Sequence, residues 1–232
     1  MPKGFYYLIG AQFTSGLADN ALLILGIAFL SEQGYPGWWA PLLKFSFTLS
    51  YVFLAPLMGP LADALPKAKL MAGMNALKVL GVGFILSPLH PVLAFAVVGM
   101  AASAYAPAKY GLITETVPSE QLVKANGWLE VTVVMSVILG TACGGLLVAS
   151  QHFEWMRQFN QMLVHTLALP SQTQLAGPLL SLILVYVLAG LLNWGIPHVH
   201  VQYPQESMRP FALVQNFKDS NRILWQDSVG KI

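Results

Sequence analysis

The chain has 232 residues, 56% of them hydrophobic and only 9% charged, with a mean hydropathy of +0.61 and a formal net charge of +2. Soluble domains carry about a quarter charged residues, so this composition excludes a water-covered globule and implies a polytopic membrane protein. The small net charge and the lack of a basic run give no argument for nucleic-acid binding, and a single cysteine, Cys143, excludes an internal disulfide.

A membrane span needs about 20 mostly apolar residues. In chain order the sequence predicts six: residues 5–30, 40–62, 70–88, 91–113, 126–149 and 178–197. Lys3 followed by apolar residues mimics a signal peptide. That run is too long, contains Asp19 and lacks a clean small-residue cleavage site, so it reads as a retained first helix. The connectors "SEQGYPGWWAP", "DALPKAK", "SPLHP" and "TVPSEQLVK" are short and rich in Pro, Gly and charge. Pro107 falls inside the fourth span and predicts a kink there. Small residues crowd the fourth and fifth spans, "GMAASAYAPAKYG" and "GTACGGLLVAS", as close helix packing in lipid requires.

The connector over residues 150–177 is longer. Phe153, Met156, Phe159 and Leu163 recur there at helical spacing, which predicts a short helix at the membrane interface. After the last span, Phe211, Val214, Phe217, Leu224 and Trp225 recur at roughly helical intervals in a polar tail. The expected organisation is a six-helix bundle over residues 1–198 and a cytoplasmic tail or linker over 199–232. Lys3, Lys67, Lys69, Lys124, Arg209, Lys218, Arg222 and Lys231 fall on one side, against Arg157 and Lys44 on the other. By the positive-inside rule both termini are cytoplasmic, with Trp38, Trp39 and Trp155 at the outer boundary and Lys44 snorkelling there.

Ionisable groups at membrane depth usually face the bundle interior and mark function. The polar residues in or at the edges of the spans are Asp19, Asn20, Lys44, Asn75, Lys78, Lys109, Glu115, Asn126 and Glu130. With about 1.5 Å of rise per residue, Lys78, Lys109 and Glu130 form one cytoplasmic-side polar layer with Asn75 and Asn126. Asp19 lies beyond it, and no cationic partner is evident at its depth. Its charge is met by protonation, water, a ligand or a helix outside this chain. Lys109 and Glu130 are expected either to brace two helices as a pair or to act on a ligand. His198 and His200 lack further ligands for a metal site. No phosphate-binding loop, nucleophile elbow, zinc-helix motif or His–Asp acyltransferase motif is present, so the expectation is no cofactor and no enzyme.

The loop "GPLADALPKAK" resembles the signature between the second and third helices of the major facilitator superfamily: Gly59, Asp63 four residues on, then Lys67 and Lys69. Ala64 and Pro66 depart from it, standing where a basic residue and a glycine are usual. "GLADNALL", "NALKVLG", "AYAPAKYGLITE" and "LVKANGWLE" together resemble the bacterial lysophospholipid transporters of that superfamily, from about residue 8 to about residue 149. The resemblance implies an all-α membrane protein, with these six helices forming the N-terminal half of a twelve-helix fold.

It further implies movement of lysophosphatidylethanolamine and lysophosphatidylglycerol across the bacterial inner membrane, with an acyltransferase/acyl-carrier-protein synthetase as partner. A chain with six spans would lack the C-terminal half, as a truncation or split gene would, and would be inactive alone. The expected substrate or gating residues are Asp19, Asn20, Lys78, Lys109 and Glu130. Lys109 would attract the lipid phosphate with Lys78 assisting, while Asp19 would engage the other half or an ethanolamine ammonium. Two alternatives stay open: a proton-coupled facilitator for another small molecule, and a non-transporting scaffold that works through its tail.

Overall fold

The computed structural model describes residues 1–168, 173–197 and 222. Six long helices appear: α1 (Lys3–Glu32), α2 (Trp39–Ala64), α3 (Lys67–Ile85), α4 (Pro91–Thr116), α5 (Leu122–Ser150) and, after the shorter α6 (Glu154–Thr166), α7 (Ala176–Trp194). All but α6 are long and apolar enough to cross a membrane, and the described residues contain no strand. The expected tail, with its apolar positions from Phe211 to Trp225, and His198 and His200 lie outside the described residues.

α1, α2, α4 and α5 run longer than their apolar runs because polar ends continue as helix, whereas α3 and α7 begin earlier and end three residues short of the expected 88 and 197. α3 starts at Lys67, directly after Pro66, whose fixed φ suits a helix start. At α4 the imidazole of His90 caps the first turn, its Nδ1 accepting from the Val92 N–H at 3.2 Å, with Pro91 in the first helical position. α4 continues through Pro107 without interruption.

α1 packs against α5 and α7, α7 against α3, α3 against α4, and α4 against α2. Two close approaches depend on glycine. A Cβ at Gly140 of α5 would stand 2.5 Å from the Leu17 carbonyl oxygen, and one at Gly144 would stand 3.0 Å from Ala21 Cα. One at Gly99 of α4 would collide with the carbonyl oxygen of Phe47 on α2. In lipid, where the hydrophobic effect does not draw helices together, such backbone-to-backbone contact supplies the association.

The topology has two ends. At one, Gly4 of α1 lies against Thr116 of α4 and Pro197 beyond α7, and Lys67 reaches α4. At the other, Glu32 binds Thr173 and the Tyr35 and Trp39 rings pack on His90. We call these the Lys67 end and the Glu32 end. Along the bundle, α2 and α5 expose apolar side chains, among them Phe45, Val52 and Phe53 on α2 and Val131, Val134 and Ile138 on α5.

Candidate functional site

A cavity of about 190 Å³ opens between α1, α2, α3 and α4. Gln12, Ser15, Gly16 and Asp19 line it from α1, Tyr51 from α2, Lys78 from α3, and Ala102, Tyr105, Ala106 and Lys109 from α4. Successive turns of α1 therefore present one polar strip to the cavity.

Asp19 has an internal partner, against the expectation that none lies at its depth. Lys78 Nζ sits 2.7 Å from Asp19 Oδ2, and the Tyr186 hydroxyl of α7 donates to Oδ1 at 2.7 Å. Lys78 also donates to Ser15 Oγ at 2.9 Å, and Ser15 donates to Asn75 Oδ1 at 2.8 Å. The ammonium lies 5.1 Å from the centre of the Tyr105 ring and 5.6 Å from that of Tyr186, so aromatic faces share its charge.

Side-chain reach explains the correction. Asp19 is about 24 Å along α1 from Lys3, and Lys78 about 16 Å along α3 from Lys67. The lysine stem adds about 6 Å, which brings the ammonium to the carboxylate. The expected layer of Lys78 with Lys109 and Glu130 is therefore split, Lys78 joining Asp19. Its side chain is 2% exposed and that of Asp19 is 20%, so the carboxylate keeps an edge at the cavity.

Lys109 is differently placed. It is buried and lines the same cavity, yet no carboxylate lies within ion-pairing distance of it among the described residues. Its ammonium rests 4.6 Å from the centre of the Tyr110 ring. Glu130, weighed above as its brace, instead accepts a hydrogen bond from the Tyr110 hydroxyl at 2.9 Å at an exposed position. Asn20 is not among the residues lining the cavity: its amide donates to the Gly16 carbonyl one turn back, and its Cβ lies at the crossing with Gly140.

At the Lys67 end the loop charges are partly buried. Lys67 pairs with Glu115 of α4 at 2.7 Å and with Asp63 at 3.4 Å. Gly111 makes room for the lysine stem, since a Cβ there would stand 2.5 Å from Lys67 Cε. Lys69 is exposed, and Gly59 has open space where a Cβ would be. The Lys67–Glu115 pair thus ties the α2–α3 turn to α4.

The sequence matches the family model of the Major Facilitator Superfamily over residues 8–169. The chain belongs to that superfamily. It is 37% identical over 228 residues to proteins named lysophospholipid transporter LplT from Yersinia pestis (strain Pestoides F) and from Yersinia pseudotuberculosis serotype O:3 (strain YPIII). The alignment takes in 98% of this chain and 50% of each relative, so the chain spans half the length of the curated relatives it matches. Six apolar helices and this membership make it a multi-pass membrane protein of a transporter superfamily.

The site of this superfamily member contains residues that sequence reasoning passed over: Gln12, Ser15, Tyr51, Tyr105 and Tyr186. None carries a charge, and tyrosine within an apolar run looks like ordinary lipid-facing or core packing. Depth was the available signal. Tyr186 lies near the middle of α7, where a hydroxyl needs a partner.

Proposed function

We propose that this chain is one six-helix half of a transporter that moves lysophospholipids, lysophosphatidylethanolamine and lysophosphatidylglycerol among them, across the bacterial inner membrane. One observation carries the reading: Lys109 is a buried cation at a cavity wall with no carboxylate in ion-pairing distance among the described residues. A buried charge calls for a counter-charge, and the phosphate monoanion shared by these lipids supplies one. The relatives named lysophospholipid transporters support the same choice.

In this reading Lys109 binds the phosphate, while Asp19, Tyr186 and Ser15 hold Lys78 as a second, fixed positive charge beside it. Asp19 serves as a positioning residue and not as the principal receiver of an ethanolamine ammonium, because both its oxygens already accept hydrogen bonds. A second half closes the cavity against the exposed faces of α2 and α5, and access alternates by rocking of the halves. The Lys67–Glu115 pair latches the cytoplasmic side, where both termini lie. The lipid delivered there is the substrate for an acyltransferase/acyl-carrier-protein synthetase.

Lysophosphatidylethanolamine uptake by spheroplasts lacking their own transporter tests the proposal. Uptake is expected with this chain plus a matching C-terminal half and not with this chain alone. No uptake by the expressed pair refutes the substrate, and uptake by this chain alone refutes the need for a second half. A proton-coupled facilitator for another small molecule is the second reading, favoured by the exposed edge of Asp19 at the cavity. It predicts transport that follows the pH gradient.

A further inference from the structure

α6 (Glu154–Thr166) divides its surface three ways. Asn160 and Val164 are buried, with Met156 and Leu163 half-buried beside them, and this arc packs on α7. Glu154, Arg157, Gln158 and Gln161 form an exposed polar arc. Between the two, Trp155, Phe159 and Met162 fall on one face at helical spacing, and they are 64%, 44% and 57% exposed, the Phe159 ring resting one edge near Gly177 of α7. This differs from the stripe predicted by spacing alone, since Met156 and Leu163 turn to the bundle and Trp155 and Met162 take the outward face.

The depth of that face follows from its attachment. Asn160 Oδ1 accepts from the Gly177 N–H at 2.8 Å, and its amide donates to the Gln174 carbonyl, so one side chain clasps the start of α7. Glu32 of α1 secures the same turn, accepting from the Thr173 hydroxyl and the Gln174 N–H at 2.6 Å each. α7 has 19 residues, about 28 Å of helix, which matches the roughly 30 Å hydrocarbon thickness. Its first turn therefore stands at the hydrocarbon boundary, and Asn160 with it.

We propose that α6 lies in the membrane interface with Trp155, Phe159 and Met162 against the lipid of the leaflet at the Glu32 end, clasped at that depth by Asn160. Water there meets the polar arc and acyl chains meet the apolar one, as an interfacial helix requires. The proposal is independent of what the central cavity carries.

Nitroxide labels in a Cys143→Ala background test it, in vesicles of phosphatidylethanolamine and phosphatidylglycerol. Collision with oxygen, which partitions into lipid, is compared with collision with a water-soluble nickel chelate. Labels at Trp155→Cys and Met162→Cys should show an oxygen-to-nickel ratio several-fold higher than labels at Gln158→Cys and Gln161→Cys. Equal nickel access at all four would place α6 in water and overturn the proposal. Exclusion of both probes at 155 and 162 would mean a protein covers the face, which also overturns it. Adding Asn160→Leu should pull the ratios towards each other, and an unchanged contrast would remove the clasp from the account.

Discussion

Lys78 and Lys109 reach the same cavity from adjacent helices, α3 and α4, and differ in what surrounds the ammonium. Lys78 meets a carboxylate, a hydroxyl and two aromatic faces, contributed by α1, α4 and α7. Lys109 rests on one tyrosine ring from its own helix, and the Glu130 and Asp19 carboxylates act on it only from beyond ion-pairing distance among the described residues. A buried cation with fixed partners ties helices together, whereas one with no carboxylate in ion-pairing distance keeps part of its field open to whatever occupies the cavity. In the proposed function the same residue type serves once to position and once to bind.

Breaking the Lys78 side of this contrast should have the largest effect. Lys78→Met leaves Asp19 without its counter-charge and should lower stability by about 3 kcal/mol, read as the melting temperature of the purified chain in detergent. Asp19→Asn combined with Lys78→Met should recover most of that loss, since a matched neutral replacement strands no charge. Lys67 sharpens the comparison as a second lysine paired with a carboxylate on another helix. Glu115→Gln, which leaves it the exposed Asp63, should cost about 2 kcal/mol in the same assay. Tyr186→Phe removes one hydrogen bond to a charged acceptor and should cost about 1.5 kcal/mol, again as a melting shift. Lys109→Gln should change stability least, by about 0.5 kcal/mol or less, while binding of lysophosphatidylglycerol in nanodiscs weakens about tenfold.

The six spanning helices were legible because apolar runs of the right length have few other fates. The break between α2 and α3 was legible in "DALPKAK", but it is confined to Leu65 and Pro66, with Gly59 and Asp63 still in α2 and Lys67 already in α3. Partners were harder to read because they sit on other helices. The Asp19–Lys78 pair was missed by comparing backbone depths, which ignores the lysine stem and starts α3 three residues late. Tyr186 was missed because a phenol in an apolar run carries no charge to draw notice. Tyr110 takes the hydrogen bond of Glu130, so adjacency in depth of Lys109 and Glu130 did not become an ion pair. On α6 the period was right and the face was rotated, because Asn160, a polar residue, is the one that turns inward. A side chain with two backbone partners can be buried where its polarity alone would place it outside.

The most direct test of the division of labour is to measure melting temperature and lysophosphatidylglycerol affinity together, in nanodiscs, for Lys78→Met and Lys109→Gln. Lys78→Met is expected to show the larger drop in melting temperature, whereas Lys109→Gln melts like the parent chain and binds about tenfold more weakly. If Lys109→Gln instead destabilises the bundle and leaves affinity intact, Lys109 is a brace and the assignment of the phosphate to it is wrong.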